Sequence, residues 1–122
     1  MVEIICDTNF LIHFATHRIK NLDSIELDIG LFRFVVPNVV HSELKKLQNS
    51  IKKGEDIKKT LDFIKKFERI SIDGEYADKE ILNFVKSKKC FVATMDKDLK
   101  KKIKEHGSNI ISFHNDNLIL ES

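Results

Sequence analysis

The apolar residues of the chain follow two alternating patterns. Short runs rich in Ile, Val and Phe predict β-strands, because these side chains favour a pleated, buried surface. The runs cover residues 2–6, 32–36, 69–72, 90–94 and 109–113. Between them, apolar residues recur every three or four positions, which predicts amphipathic helices at residues 9–17, 38–48, 55–67, 76–86 and 97–106. Strands that alternate with helices are typical of a parallel sheet, so we expect an α/β fold with five strands in one sheet.

Single residues support some of these boundaries. Gly107 follows the last predicted helix, where glycine often closes a helix in the left-handed conformation. Pro37 lies at a strand-to-helix junction, where its missing N–H costs little. Residues 21–30 show neither pattern, and we expect them to form a connecting segment.

The composition is that of one folded domain. A chain of 122 residues with 42% hydrophobic and 33% charged residues has enough apolar side chains for a single core, and we assign residues 1–122 to one domain. The chain has no apolar run near the ~18 residues that cross a bilayer and no signal-peptide pattern, so we expect a cytoplasmic protein with no membrane partner. Cys6 and Cys90 stand alone in apolar runs, which favours core positions over a disulfide or a zinc site.

Acidic residues follow the predicted strands at one edge of the sheet. Asp7 comes directly after the first strand and Asp96 shortly after the fourth, and open parallel sheets bind their ligands outside these carboxyl ends. Glu43 and Asp78 lie in the early turns of the helices after the second and third strands, where side chains can lean back towards the strand ends. We therefore expect the four carboxylates to converge.

Each acid also has an ordinary explanation when it is taken alone. Asp7 and Asp96 suit helix N-caps, and Asp78 suits the first turn of a helix. Glu43 has Lys46 three residues on as an ion-pair partner. Taken together, carboxylates ~4 Å apart would repel by roughly 4 kcal/mol per pair at an effective dielectric of about 20, so their convergence implies a cation.

The ligand type indicates which cation. Carboxylate oxygens favour Mg²⁺ or Mn²⁺ over zinc. His13 and His17 have the spacing of a zinc-protease helix, but Phe14 stands where that helix needs Glu, so we expect surface or packing roles for them. A hard divalent ion can hold a phosphodiester and stabilise the charge of in-line displacement, and paired lysines along the chain indicate a polyanionic partner. Hydrolysis of a nucleic acid is the leading chemistry.

Several motifs, taken in order, resemble the PIN-domain ribonuclease family over the full length of the chain. They are Asp7-Thr8-Asn9 after the opening strand, Val36-Pro37 leading to Glu43, Tyr76-Ala77-Asp78, and the run from Ala93 to Leu99 that contains Thr94, Asp96, Lys97 and Asp98. The resemblance implies an α/β/α sandwich with a central five-stranded parallel sheet and a metal-dependent endoribonuclease activity. Within the family, the chain is most similar to the branch that processes small-subunit ribosomal RNA and to the short archaeal relatives of that branch.

The resemblance also implies residue roles and partners. Asp7, Glu43, Asp78 and Asp96 would be the catalytic, metal-binding acids, with Asp98 as a further ligand and Mg²⁺ or Mn²⁺ as the cofactor. Asn9 and Thr94 would hold the acids by hydrogen bonds. The expected partners are RNA, a second copy of the chain in a homodimer, and either pre-ribosomal particles or an antitoxin protein. The lysines expected to contact RNA are Lys45, Lys46, Lys79 and Lys97.

Three other functions stay open at this point. The toxin of a toxin–antitoxin pair would share the same catalytic pattern and a similar length. A non-catalytic PIN scaffold would bind RNA without cutting it, although such a descendant would be free to lose acids that this chain keeps. A phosphoacceptor receiver domain would need adjacent acids after an early strand and a lysine ending the fifth strand, whereas this chain has the single Asp7 and ends that strand in Phe113-His114.

Overall fold

A computed structural model describes residues 1–22, 29–49 and 52–121 of the chain. The strands are β1 (Val2–Cys6), β2 (Phe32–Pro37), β3 (Glu68–Ile70), β4 (Phe91–Ala93), β5 (Asn109–His114) and β6 (Asn117–Glu121). The helices are α1 (Thr8–Thr16), α2 (Asn38–Leu47), α3 (Gly54–Phe63), α4 (Ala77–Ser87) and α5 (Lys97–Glu105), with a 3₁₀ turn at Ile64–Lys66. Each predicted strand and helix is present with its ends moved by a few residues. Of the connecting segment expected at 21–30, residues 23–28 lie outside the described residues.

The strands form one mixed sheet in the order β3-β2-β1-β4-β5-β6. Strands β1 to β5 are parallel, as predicted, with Ile4 of β1 facing Phe34 on one side and Phe91 on the other. The chain moves outward from β1 through β2 to β3, and it then returns to the opposite side of β1 as β4. The order therefore reverses between β1 and β4, where open α/β sheets usually bind ligands.

The sheet ends in an antiparallel strand that the sequence analysis did not predict. β6 pairs with β5 from Ile110–Glu121 to His114–Asn117. Asn115 and Asp116 join them with φ values of 50° and 60°, and two positive φ values are the mark of a tight hairpin turn that favours Asn and Asp. Asp116 also accepts at 3.1 Å from Nε2 of His13, whose ring stacks on His17. The two histidines have the packing role expected for them.

The helices cover the sheet in two groups. α1, α2 and α3 contact one another, and α4 packs with α5, which gives the expected three-layer α/β/α arrangement. The core is continuous and apolar, with Phe10, Ile81 and Ile110 fully buried in it. Cys6 is fully buried and Cys90 packs against the same core, both as free thiols. Among the described residues, no helix is long and apolar enough to cross a membrane.

Candidate active site

The candidate site lies at the carboxyl end of the sheet, where the strand order reverses. Asp7 follows β1, and its backbone amide donates to the carbonyl of Ala93 at the end of β4 at 2.9 Å. The segment after β4 leads through Thr94 to Asp96, the N-cap of α5. Asp7 and Asp96 therefore follow the adjoining ends of the two central strands.

Asp7 is the most buried of the four acids, with 6% of its surface exposed. Its Oδ1 accepts from the amide of Thr8 at 2.9 Å, and its Oδ2 accepts from the Thr94 hydroxyl at 3.0 Å. Burial raises the pKa of this carboxyl, the two hydrogen bonds oppose the rise, and the negative charges of Glu43 and Asp96 add to it. Asp7 therefore lies within electrostatic reach of two of the other predicted acids.

Thr94 connects the first and fourth strand ends. Its side chain is fully buried, donates to Asp7, and accepts from the backbone amide of Asp96 at 3.1 Å. Oδ1 of Asp96 in turn accepts from the amide of Leu99 at 3.1 Å. The N-cap role considered for Asp96 is thus real, but it uses one carboxylate oxygen and leaves the other for a ligand.

Glu43 reaches the site from α2 through two hydrogen bonds. Oε1 accepts from the Thr8 hydroxyl at 3.0 Å, and Oε2 accepts from the Ala77 amide at 2.5 Å. The second bond satisfies one of the free amides that begin α4. Glu43 thus ties α1 to α4, and its oxygens accept hydrogen bonds from Thr8 and Ala77 rather than from Lys46, the ion-pair partner considered from the sequence.

Asp78 lies in the first turn of α4. Its Oδ1 accepts from the Lys79 amide at 2.9 Å. Asp78, Asp96 and Asp98 line one cleft of about 270 Å³, together with Lys79, Leu82, Leu99 and Lys102. Asp78 therefore shares a cleft with Asp96, and the adjacent Ala77 donates its amide to Glu43.

Helix ends partly offset the repulsion among these acids. Asp7 and Asp96 are the N-caps of α1 and α5, and Asp78 lies in the first turn of α4. The amides at a helix N-terminus carry partial positive charge and favour carboxylates by about 0.3–1 kcal/mol each. Hydrogen bonds and helix dipoles thus offset part of the repulsion among the acids.

The donor chemistry fits a hard divalent metal. The candidate ligands described at this edge are carboxylates, whose oxygens Mg²⁺ and Mn²⁺ prefer. Within residues 1–22, 29–49 and 52–121, no three His, Cys, Asp or Glu side chains are arranged as a ready-made metal site. Asp96 is linked to Asp7 through Thr94 and shares a cleft with Asp78 and Asp98, and Glu43 is linked to Asp7 through Thr8.

The predicted supporting residues differ in what they do. Thr94 donates a hydrogen bond to Asp7, whereas Asn9 is exposed on α1 and the hydroxyl beside the acids belongs to Thr8. Thr8 was not among the predicted site residues, although its hydroxyl directly follows Asp7 at the first position of a helix. Lys79 lies in the cleft with Asp78, Lys46 lies beside Glu43, and the four predicted lysines, which include Lys45 and Lys97, are all exposed.

Comparison with known proteins identifies the family. Residues 4–115 match the model of the PIN-like domain family. The chain belongs to this family. It is 35% identical over 112 residues to ribonuclease VapC4 of Methanocaldococcus jannaschii, covering 87% of this chain and 86% of that protein. It is 27% identical over 105 residues to ribonuclease VapC9 of Archaeoglobus fulgidus, covering 84% of this chain and 76% of that protein.

A solved structure gives the same result for the PIN fold. The chain superposes on the PIN domain endonuclease Utp24 with a TM-score of 0.80 and 30% identity, covering 98% of this chain and 90% of that chain. The PIN resemblance predicted from the motifs is therefore confirmed. The α/β fold expected from it is confirmed as well, with β6 as an addition at one edge.

Proposed function

We propose that this PIN domain is an endoribonuclease that uses Mg²⁺ or Mn²⁺ and that residues 1–122 form one nuclease domain. The reaction is hydrolysis of an RNA phosphodiester: water adds to phosphorus, the bond to the 3′-oxygen breaks, and the proton of the water passes to the leaving oxygen. The products carry a 5′-phosphate and a 3′-hydroxyl. The ribonucleases and the endonuclease to which the chain is similar support this activity.

One observation supports the proposal above all others. Asp7 is joined to Asp96 through the Thr94 hydroxyl and to Glu43 through Thr8. Burying a carboxylate beside two others costs free energy, and the surrounding hydroxyls and amides hold these acids in fixed positions at the ligand-binding edge. An arrangement that costs stability and preorganises charge is typical of catalytic sites.

The acids, lysines and threonines of the site would have different roles in the reaction. Asp7, Glu43, Asp78 and Asp96 would hold the metal, with Asp98 as a further ligand at the mouth of the cleft. The metal would supply Lewis-acid stabilisation of the charge that develops on the phosphodiester. Lys46 and Lys79, the cations beside Glu43 and Asp78, would position the RNA backbone through its phosphates. Thr8 and Thr94 would keep Glu43 and Asp7 oriented.

Amide variants of the acids test the proposal. Asp7→Asn and Asp96→Asn keep side-chain size but remove the charge that a metal needs and replace one acceptor oxygen by an amide donor. We expect both to lose Mn²⁺-dependent cleavage of RNA, measured on end-labelled RNA, while the melting temperature stays near that of the wild type. Glu105→Gln is the matched control, because Glu105 is an exposed acid at the far end of α5. Full activity in both aspartate variants would refute the assignment.

The cellular role has two candidates that share this chemistry. One is processing of small-subunit ribosomal RNA in pre-ribosomal particles, and the other is the toxin of a toxin–antitoxin pair. Crosslinking the protein to cellular RNA and sequencing the sites separates them. Sites confined to precursor ribosomal RNA support processing, whereas sites spread over other transcripts, together with co-purification of an antitoxin, support the toxin. Analytical ultracentrifugation tests the expected homodimer.

A further inference from the structure

Tyr76 is more exposed to solvent than any Phe side chain of the chain. The sequence contains nine Phe, one Tyr and no Trp. Every Phe is buried or half-buried, whereas 59% of the surface of Tyr76 is exposed. Leaving a large ring in water forgoes the free energy that its burial would give. The packing of the fold therefore does not account for an aromatic ring at this position.

The ring lies beside the acids of the candidate site. Tyr76 directly precedes Ala77, whose amide donates to Glu43 at 2.5 Å, and it lies two residues before Asp78. An open groove of about 300 Å³ is lined by Glu43, Lys46, Leu47, Glu75 and Tyr76. A catalytic carboxylate, a lysine and an aromatic ring thus share one groove. Leu47 adds a second exposed apolar surface, with 36% of its area accessible.

These groups match the parts of a single nucleotide. An aromatic ring offers a face on which any base can stack, Leu47 can contact the edge of the base, and Lys46 offers a cation for the phosphate. We propose that Tyr76 and Leu47 form a nucleobase subsite that binds an unpaired base of RNA next to the scissile phosphodiester. This inference rests on the proposed ribonuclease function and adds to it the residues that would contact a base.

A nucleobase explains the groove better than a side chain of a protein partner. Glu43 is one of the acids proposed to hold the metal, and it lines the groove. An occupant of the groove would therefore lie next to the phosphodiester that is cleaved. A base in a helix is covered on both faces by its neighbours, so only an unpaired, unstacked base can bring a free face to the ring. The subsite would therefore select single-stranded segments and tolerate different bases, because every base has a face that stacks.

Tyrosine fluorescence tests the subsite without cleavage. Tyr76 is the only Tyr and the chain has no Trp, so tyrosine emission reports on this ring alone. The Asp96→Asn variant is titrated with an eight-nucleotide oligouridylate and with an abasic ribose-phosphate chain of equal length. We expect strong quenching by the oligouridylate and little by the abasic chain, with absorbance corrected against free tyrosine. Equal responses to the two chains would overturn the proposal.

Substitutions separate stacking from charge. We expect Tyr76→Ala to weaken oligouridylate binding about tenfold, measured by fluorescence anisotropy, with the abasic chain and the salt dependence unchanged. Tyr76→Phe keeps the ring and should bind as the wild type does, whereas Tyr76→Leu keeps apolar area without the aromatic face and should resemble Tyr76→Ala. Leu31→Ala is the control, because Leu31 is 66% exposed and precedes β2 at the opposite edge of the sheet.

The outcomes distinguish this subsite from the nuclease activity. Base-dependent quenching in a protein that cleaves no RNA would support the subsite and refute the nuclease. If Tyr76→Ala cleaves single-stranded RNA with an unchanged KM, the nuclease is supported and the subsite is overturned. The exposed ring would then belong to a surface that binds another protein. An oligouridylate paired with oligoadenylate should not quench Tyr76, and quenching by this duplex equal to that by the single strand would also overturn the proposal.

Discussion

The hydroxyl of Thr94 donates to Oδ2 of Asp7 at 3.0 Å while it accepts from the amide of Asp96 at 3.1 Å. One fully buried side chain thus fixes the relative positions of two acids that are 89 residues apart along the sequence. The two acids follow β1 and β4, the strands between which the sheet order reverses. The position of Thr94 links the topology of the sheet to the chemistry of the site.

Removing this hydroxyl should affect catalysis more than folding. Thr94→Val keeps the shape of the side chain but takes one hydrogen bond from Asp7, and we expect kcat for RNA cleavage to fall by about one to two orders of magnitude, with a smaller effect on KM. The free energy of unfolding should fall by about 1–3 kcal/mol, since Asp7 is left less satisfied. Steady-state cleavage and urea denaturation measure the two effects.

The chain offers a matched control for that substitution. Thr60 is also fully buried, but its hydroxyl donates to the carbonyl of Asp56 within α3. Thr60→Val should leave kcat unchanged, and Thr94→Ser should restore most of the activity because it restores the donor. Wild-type kcat in Thr94→Val, or loss of activity in both valine variants, would show that Thr94 does not position Asp7.

Thr8 should act on Glu43 in the same way. Its hydroxyl donates to Oε1 of Glu43 at 3.0 Å, so Thr8→Val should free one end of that carboxylate and lower kcat by about tenfold, whereas Thr8→Ser should not. Thr16→Val is the control, since the Thr16 hydroxyl bonds to the carbonyl of Ile12 at the other end of α1. Equal cleavage by Thr8→Val and Thr16→Val would exclude a positioning role for Thr8.

Metal binding should be visible in thermal stability without any substrate. An ion that binds only the folded state stabilises it by about 2.7 kcal/mol when its concentration is 100 times Kd. We expect Mn²⁺ or Mg²⁺ to raise the melting temperature by several degrees relative to the protein in EDTA, and Asp78→Asn to lose most of that increase. Asp62→Asn on α3 should keep it, because Asp62 pairs with Lys65 on the protein surface. A wild-type melting temperature independent of both ions would count against the metal.

Short-range patterns predicted most of the fold, because helix and strand periods and the order of elements are properties of neighbouring residues. The positions of Asp7 and Asp96 at the carboxyl end of the sheet could be predicted for the same reason, since Asp7 directly follows β1 and Asp96 lies three residues after the end of β4. Glu43 was harder to place because its role depends on Thr8 and Ala77, which are 35 and 34 residues away in sequence. Strand β6 was missed although Asn115 and Asp116 signal a tight hairpin, because a wholly parallel sheet was expected.

The missed strand leads to a prediction about acid stability. Glu121 at the end of β6 forms ion pairs with Lys100 and Lys104 of α5 and accepts from Ser112 of β5. Burial alone would raise the pKa of this carboxyl, but the hydrogen bonds from Lys100, Ser112 and Lys104 outweigh it and lower the pKa to about 2. A lowered pKa in the folded state stabilises the fold above the ordinary value and loses this effect as the carboxyl is protonated.

We therefore expect the contribution of Glu121 to fade as pH falls from about 4.5 towards 2. Glu121→Gln should lower the free energy of unfolding by about 1–3 kcal/mol at pH 6, because the neutral amide keeps a polar contact but loses the ion pairs. The gap between wild type and variant should close near pH 2, as measured by urea denaturation across this range. Glu105→Gln, which removes an exposed acid of α5, should show no such gap. A gap that stayed constant from pH 6 to pH 2 would mean that packing of β6, rather than the charge of Glu121, attaches the last strand to α5.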